Sequence, residues 1–302
     1  MNFEYEFARL NSVLKSVIQK NLTPEGWKWL EREGDSIHTT GEVARFNIAF
    51  VAMPRKTGKN ILKLSPDEEK EIKNLRADLH IRDWTVDRLS RVWLLMQINP
   101  DNKEKYIGLI ENLFLNAEMG ELVALYSALP VLAFPEMWSK RCAEGIRSNI
   151  GQVLEAIICN NPYPSEHLSE AAWDQLVLKA IFTEKQILQI TGLKKRVNPN
   201  LAQSLSDYAH ERWAAHRPVN PLLWICVSPF IDSGNFSDIQ RIFASDDLLE
   251  REAAALVCYE SSYEPAKRLL EQNQQLKTNI ENGKVNWESL AEKMNRAAVS
   301  RQ

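Results

Sequence analysis

Apolar residues recur at three-to-four spacing along nearly the whole chain, the period of helices with one buried face. Phe3, Phe7, Leu10, Leu14 and Val17–Ile18 form the first such stripe. Thr23-Pro24-Glu25 has the form of an N-cap followed by proline at the first helical position, where a missing amide hydrogen costs nothing. It opens a helix carrying Trp27, Trp29 and Leu30. A third apolar segment, Val43 to Met53, is expected to stop at Pro54, leaving Pro54 to Lys59 as a basic loop. Ser65-Pro66-Asp67-Glu68 starts another helix, with acids in its first turn. Further helices are predicted over about 85–98, 101–116, 119–129, 135–160, 168–182, 199–215 and 219–231. Three short ones follow: Phe236 to Phe243, Leu248 to Leu256, and Pro265 to Leu270. In the second of these, the alanine run with Asp247 and Arg251 has the texture of a HEAT-like unit. Beyond about residue 272 the chain turns polar, and a last weak helix holds Trp287 and Leu290. Period-two alternation flanked by hairpin dipeptides is not found, so no strands are expected.

Short proline-marked connections favour antiparallel neighbours. The expected fold is all-α: antiparallel helix pairs stacked as a HEAT-like α-solenoid in a single domain over 1–275. Residues 276–302 are read as a polar tail or loosely docked helix, and a globular bundle is the alternative. The length of 302 residues admits one large domain or two ordinary ones. A chain that is 44% hydrophobic and 25% charged is not a disordered one. Eleven glycines are few for an all-β protein. A net charge of −3 gives no electrostatic footprint for nucleic acid. No run reaches the ~18 apolar residues of a spanning helix; the nearest, Leu122 to Phe134, is interrupted by Pro130. Glu4 and Glu6 alternate with aromatics where a secretory signal would have an apolar core, so the cytoplasm is the expected compartment.

The block from Met119 to Ile231 carries a more specific pattern. It runs through Gly120-Glu-Leu-Val-Ala-Leu-Tyr-Ser-Ala-Leu-Pro130, Ala143-Glu-Gly-Ile-Arg-Ser-Asn149 and Asn160-Asn-Pro-Tyr-Pro164. Ala172-Trp-Asp-Gln-Leu-Val-Leu-Lys-Ala-Ile-Phe182 and Asp207-Tyr-Ala-His-Glu-Arg-Trp-Ala214 complete it. In this the chain resembles the EboA family. The resemblance implies a gene neighbourhood more than a reaction. The neighbours it implies look like a UbiA-type prenyltransferase, a sugar-phosphate-cyclase-like enzyme, a sugar-isomerase-like barrel and metal-dependent hydrolases. Such a set implies a pathway for a cyclitol- or isoprenoid-linked metabolite. The resemblance transfers no catalytic residue.

The residues themselves single out several positions in that block. The helix near 168–182 is apolar over most of its circumference, with Trp173 on its broad arc and Asp174, Gln175 and Lys179 as exceptions. Lys179 either snorkels, pairs with a carboxylate, or acts as a binding or reactive amine. On the next long helix Arg212 falls within the inward stripe beside Trp213. It calls for an acceptor: Glu144, Asp174, Glu155 or an anionic ligand. His210 flanks it, and Asp207-x-x-His210 alone is too few ligands for a metal. Arg147 lies in the second family-like stretch. In a continuous helix Asn149 would share a face with Trp138, Cys142 and Gly145, and a buried amide there must find partners. Gly145 and Gly151 point to a close helix contact or a local break. Tyr163 either packs back or faces a cleft. The four cysteines, widely spaced, are read as small buried hydrophobes. No metal site and no cofactor are expected. His-Glu-x-x-His, Gly-x-Ser-x-Gly and the phosphate-loop motif do not occur, and Lys56-Thr-Gly-Lys59 reads as a solvated basic turn.

Two functions fit. The first is a non-catalytic interaction or metabolite-handling protein that holds pathway enzymes or a small-molecule ligand on an extended helical surface. The second is an enzyme of the same pathway acting on an anionic or prenylated metabolite. It requires Arg212, Lys179, Asn149 and Tyr163 to converge on one cleft.

Overall fold

A computed structural model describes residue 3, residues 5–40 and residues 42–299. The described residues are helical, with one isolated bridge between Ile61 and Thr85 and no strand. The chain divides into two compact units, residues 1–173 and 174–302.

The first unit holds α1 (Phe7–Asn21), α2 (Pro24–Thr40), α3 (Val43–Thr57), α4 (Pro66–Leu75), α5 (Val86–Met96) and α6 (Lys103–Asn116). It continues through α7 (Met119–Ala128), α8 (Ser139–Ile146), α9 (Gly151–Ile158) and α10 (Tyr163–His167), and ends within α11 (Glu170–Phe182). The cap signals act as expected where they are local. Ser65 Oγ accepts from Glu68 N at 3.3 Å while Glu68 Oε2 accepts from Ser65 N at 2.8 Å, a reciprocal box that opens α4. The core is built on α5, against which α1, α3 and α7 pack. Leu89, Leu94 and Leu95 are fully buried there.

Three expectations for this unit are revised. The helix at 43 does not stop at Pro54 but runs through it to Thr57, ending at Gly58 with φ +76. A proline inside a helix leaves the carbonyl four residues back without its amide partner. Here that carbonyl is Phe50 O, and Arg91 Nε of α5 donates to it at 2.9 Å. The expected continuous helix over 135–160 is broken into a 3₁₀ turn at Pro135–Trp138, then α8, then α9. Gly145 explains the crossing: a Cβ there would lie 2.5 Å from Tyr126 Cζ of α7 and 2.6 Å from Ile157 Cδ1 of α9. Of the four cysteines, Cys142, Cys226 and Cys258 are buried as expected, but Cys159 at the end of α9 is only half-buried.

The second unit contains the rest of α11, then α12 (Leu193–Arg196), α13 (Pro199–Ala214), α14 (Trp224–Val227), α15 (Phe236–Phe243) and α16 (Leu248–Glu260). It closes with α17 (Glu264–Glu271), α18 (Gln274–Glu281) and α19 (Trp287–Val299). The expected helix over 219–231 is instead α14 flanked by 3₁₀ turns, because Pro221 and Pro229 interrupt the ladder. Helix α16 is enclosed by α14, α15, α17, α18 and α19. Ala253, Ala254 and Ala255 are fully buried, and their small side chains admit close neighbours on several sides. The stretch read as a polar tail or loosely docked helix forms α18 and α19, with Trp287 2% and Leu290 0% exposed. Trp287 Nε1 donates to Glu260 Oε1 at 2.9 Å, and Lys293 Nζ meets Glu252 Oε1 at 2.6 Å. Residues 300–302 of that stretch lie outside the described residues.

Candidate functional site

An open cavity of about 420 Å³ lies within the second unit. One side is set by α13. Asn198 caps that helix, its Oδ1 accepting from Leu201 N at 2.9 Å, and its amide donates to Asp174 Oδ1 at 2.8 Å. Leu201, Leu205 and Ala209 bury the inner face of α13. The flanking pair Tyr208 and Arg212, one turn apart, is thereby turned toward the cavity. Arg212 Nε donates to the Pro218 carbonyl at 2.9 Å, and its cation lies 5.9 Å from the Tyr208 ring centroid. Its remaining N–H groups have no acceptor among the described residues. The Tyr208 ring also rests on Phe182 at 4.6 Å.

The facing wall comes from the start of α16 and from α19, which present Leu249, Ala291 and Met294. Asp247 at the rim caps α16, accepting from Leu249 N at 2.8 Å. Glu184 and Glu250 also border the space. The result is a mostly apolar trough with one under-satisfied guanidinium and carboxylates at its edge. Such a surface suits a molecule with an apolar portion and a hydroxyl-bearing, anionic head.

A second cluster gathers His210, Trp213 and Asp238. His210 Nε2 lies 2.8 Å from Asp238 Oδ1, and its ring meets Trp213 at 5.8 Å. Trp213 stacks on Trp224 at 5.9 Å, and Arg241 covers its other side at 4.3 Å. Asp207, the expected companion of His210, instead accepts from Gln203 at 2.8 Å. Among the described residues no group of three or more His, Cys, Asp or Glu is placed to hold a metal ion.

The sequence-derived candidates therefore separate. Arg212 lines the cavity, but the expected carboxylate partner is replaced by a carbonyl; Asp174 serves the cap of α13 instead. Lys179 is half-buried on α11, two residues before Ile181 of the cavity lining. Tyr163 and Trp173 are fully buried, and Tyr163 donates to Pro135 O at 2.5 Å, so the tyrosine packs back. Arg147 and Asn149 are exposed in the connection between α8 and α9. The expectation of a buried Asn149 assumed a continuous helix, and the break removes it. Sequence reasoning missed Tyr208 as a cavity residue and Asp238 and Arg241 as partners of His210 and Trp213. The last two lie on a helix whose docking no local pattern encodes.

No described helix is long and apolar enough to cross a membrane. Comparison with curated proteins and with solved structures gives no match. A family model described as metabolite traffic protein EboA matches residues 10–228, well over half of the chain. The matched span includes all of the first unit's helices from α2 onward and the Tyr208–Arg212 side of the cavity. The chain belongs to the EboA family of metabolite traffic proteins.

Proposed function

We propose that this protein is a non-catalytic handler of a small amphiphilic metabolite, held in the cavity of the second unit with its anionic head against Arg212. The observation that carries the reading is the guanidinium aimed into an apolar trough with most of its donors unused. The group is only partly buried, its remaining donors face the open trough, and an oxyanion would supply them with acceptors. The metabolite class we favour is cyclitol- or isoprenoid-linked, as in a pathway encoded by an ebo-type gene cluster. The partners would be the prenyltransferase-like and cyclase-like enzymes of that pathway. In the first unit α3, α5, α7 and α9 pack each on the next, which supports solenoid-like layering there. The enzyme reading has less support, because Tyr163 is sealed in the core and Asn149 sits on an exposed turn.

The test is calorimetric titration of the full chain with geranyl phosphate and with geraniol. Geranyl phosphate should bind, and Arg212→Gln should weaken it by about 10–100-fold, the value of a charge-assisted hydrogen bond. Geraniol should not distinguish the two proteins. Equal affinity of geranyl phosphate for wild type and variant would remove Arg212 from the site. Deleting the gene and profiling metabolites in cells and membranes then identifies the cargo by what accumulates.

A further inference from the structure

Two arginines on α5 sit one turn apart and are treated in opposite ways. Arg91 is fully partnered: Nη1 meets Asp87 Oδ2 at 2.9 Å, Nε donates to Phe50 O, and Glu121 Oε1 lies 4.0 Å from Nη2. Arg88 has no carboxylate. Its Nε donates to Ser127 Oγ at 2.7 Å, and its guanidinium lies over the Trp84 ring, 4.3 Å from the centroid. Neither Nη1 nor Nη2 has an acceptor among the described residues. Asp87, the neighbouring acid, is turned inward to Arg91.

The surroundings hold Arg88 in this pose. Trp84 is 8% exposed and its backbone is pinned: Leu62 N donates to Trp84 O, and Val86 N donates to Asn60 O, each at 2.9 Å. The Ser127 hydroxyl accepts from Arg88 and donates its own hydrogen bond to Val123 O within α7. One edge of the guanidinium is thus braced and one face is stacked, while the fork of Nη1 and Nη2 is open. Burial lowers the Arg88 pKa to about 10, so the group still carries its charge at neutral pH. A half-buried cation with one neutral acceptor and an accessible Nη1–Nη2 fork matches what bidentate recognition of an oxyanion requires.

We infer that Arg88, stacked on Trp84 and braced by Ser127, is a binding site for a small oxyanion, carboxylate or phosphate, in the first unit. It is independent of the cavity proposed for the second unit. The Cys159 thiol lies near enough to Arg88 to interact with its charge. Because the other three cysteines are buried, Cys159 serves as a built-in reporter. An oxyanion on Arg88 would offset that charge and slow alkylation of the thiol.

The experiment measures iodoacetamide modification of Cys159 by peptide mass mapping in the full chain. Inorganic phosphate or acetate is raised to tens of millimolar against sodium chloride at equal ionic strength. At least one anion should slow the reaction saturably, by about three- to tenfold. Phosphate alone doing so assigns a phosphoryl group, and acetate alone a carboxylate. The same anion should raise the melting temperature. Arg88→Gln should abolish both responses. Arg88→Lys, which keeps the charge but not the fork, should retain only a weak response. If neither anion acts differently from chloride on the wild type, the proposal is wrong whatever the variants do. An undiminished response in Arg88→Gln would also overturn it.

Discussion

Substituting Gly145 by alanine sets two known effects against each other. Within a helix, alanine is favoured over glycine by at most ~1 kcal/mol. At Gly145 the new Cβ would stand 2.5 Å from Tyr126 Cζ, 2.6 Å from Tyr126 Cε1 and 2.6 Å from Ile157 Cδ1. Carbon contacts settle near ~3.5–4.0 Å, so the neighbours must retreat by about 1 Å. The Ile157 methyl ends a flexible chain, but Ile157 is fully buried. The Tyr126 ring is 6% exposed and held edge-on by Phe114 at 5.1 Å. Overpacking of this kind costs ~1–3 kcal/mol, more than the propensity gain, so Gly145→Ala should destabilise by about 1–2 kcal/mol. Gly108 in α6 is the control, since a Cβ there meets nothing within 4 Å. Gly108→Ala should stabilise by about 0.5–1 kcal/mol. Urea unfolding at matched m-values reads the opposite signs, and Ile157→Val combined with Gly145→Ala should recover part of the loss. If both alanine variants are stabilised alike, α7, α8 and α9 do not approach each other at Gly145.

Three further outcomes are expected. Glu33, 5% exposed, accepts from Arg45 at 2.7 Å and from Arg32 at 3.0 Å; burial alone would raise its pKa, but these bonds outweigh it and hold it below the usual carboxylate range. Its contribution is therefore present above the unfolded-state value near ~4.3 and lost as pH falls through the lower folded value. Urea midpoints between pH 7 and pH 3 should show Glu33→Gln with a flatter acid limb, and an unchanged limb would remove Glu33 from the acid response. Leu290→Ala should cost about 2–5 kcal/mol because the side chain is fully buried between α19 and its neighbours, and a loss under ~1 kcal/mol in denaturant melts would mean α19 is loosely held. At neutral pH iodoacetamide should mark Cys159 alone in the native protein. Burial pushes the Cys226 and Cys258 thiols up to about 12 and Cys142 upward as well, so rapid labelling of those three by mass mapping would show an open core.

What could be read from sequence was local. Ser65-Pro66 with Glu68, and Asn198-Pro199, fix helix starts within four residues, so no tertiary information was needed. Pro54 was misread because its compensation comes from Arg91, on another helix. The break after Ile146 was signalled by the two glycines, yet only Tyr126 and Ile157 show that Gly145 serves contact and Gly151 serves the restart. Arg212 calls for an acceptor in sequence, and the one it finds is a backbone carbonyl six residues on, which side-chain pattern alone does not point to. Arg88 drew no notice, since a single arginine at a helix start looks like ordinary surface. Its peculiarity consists of partners it lacks, and those are visible only in three dimensions.

The polar C-terminal stretch docks through particular side chains of α19. Glu252 and Glu260 of α16, unremarkable in sequence, receive Lys293 and Trp287 of α19. That docking places Ala291 and Met294 opposite Arg212 and so forms one wall of the cavity. The family match ends at residue 228, so the Tyr208–Arg212 side of the cavity belongs to the matched span and the wall from α16 and α19 lies beyond it. A ligand that needs both sides binds only when α19 is docked. Its binding free energy is then added to the stability of the second unit in proportion to the logarithm of ligand concentration over Kd. Weakening the α16–α19 contact should lower affinity without touching Arg212, whereas removing the Arg212 charge should lower affinity and leave the docking intact. The two walls thus contribute separable quantities: Arg212 the recognition of charge, and α19 the fraction of molecules able to bind.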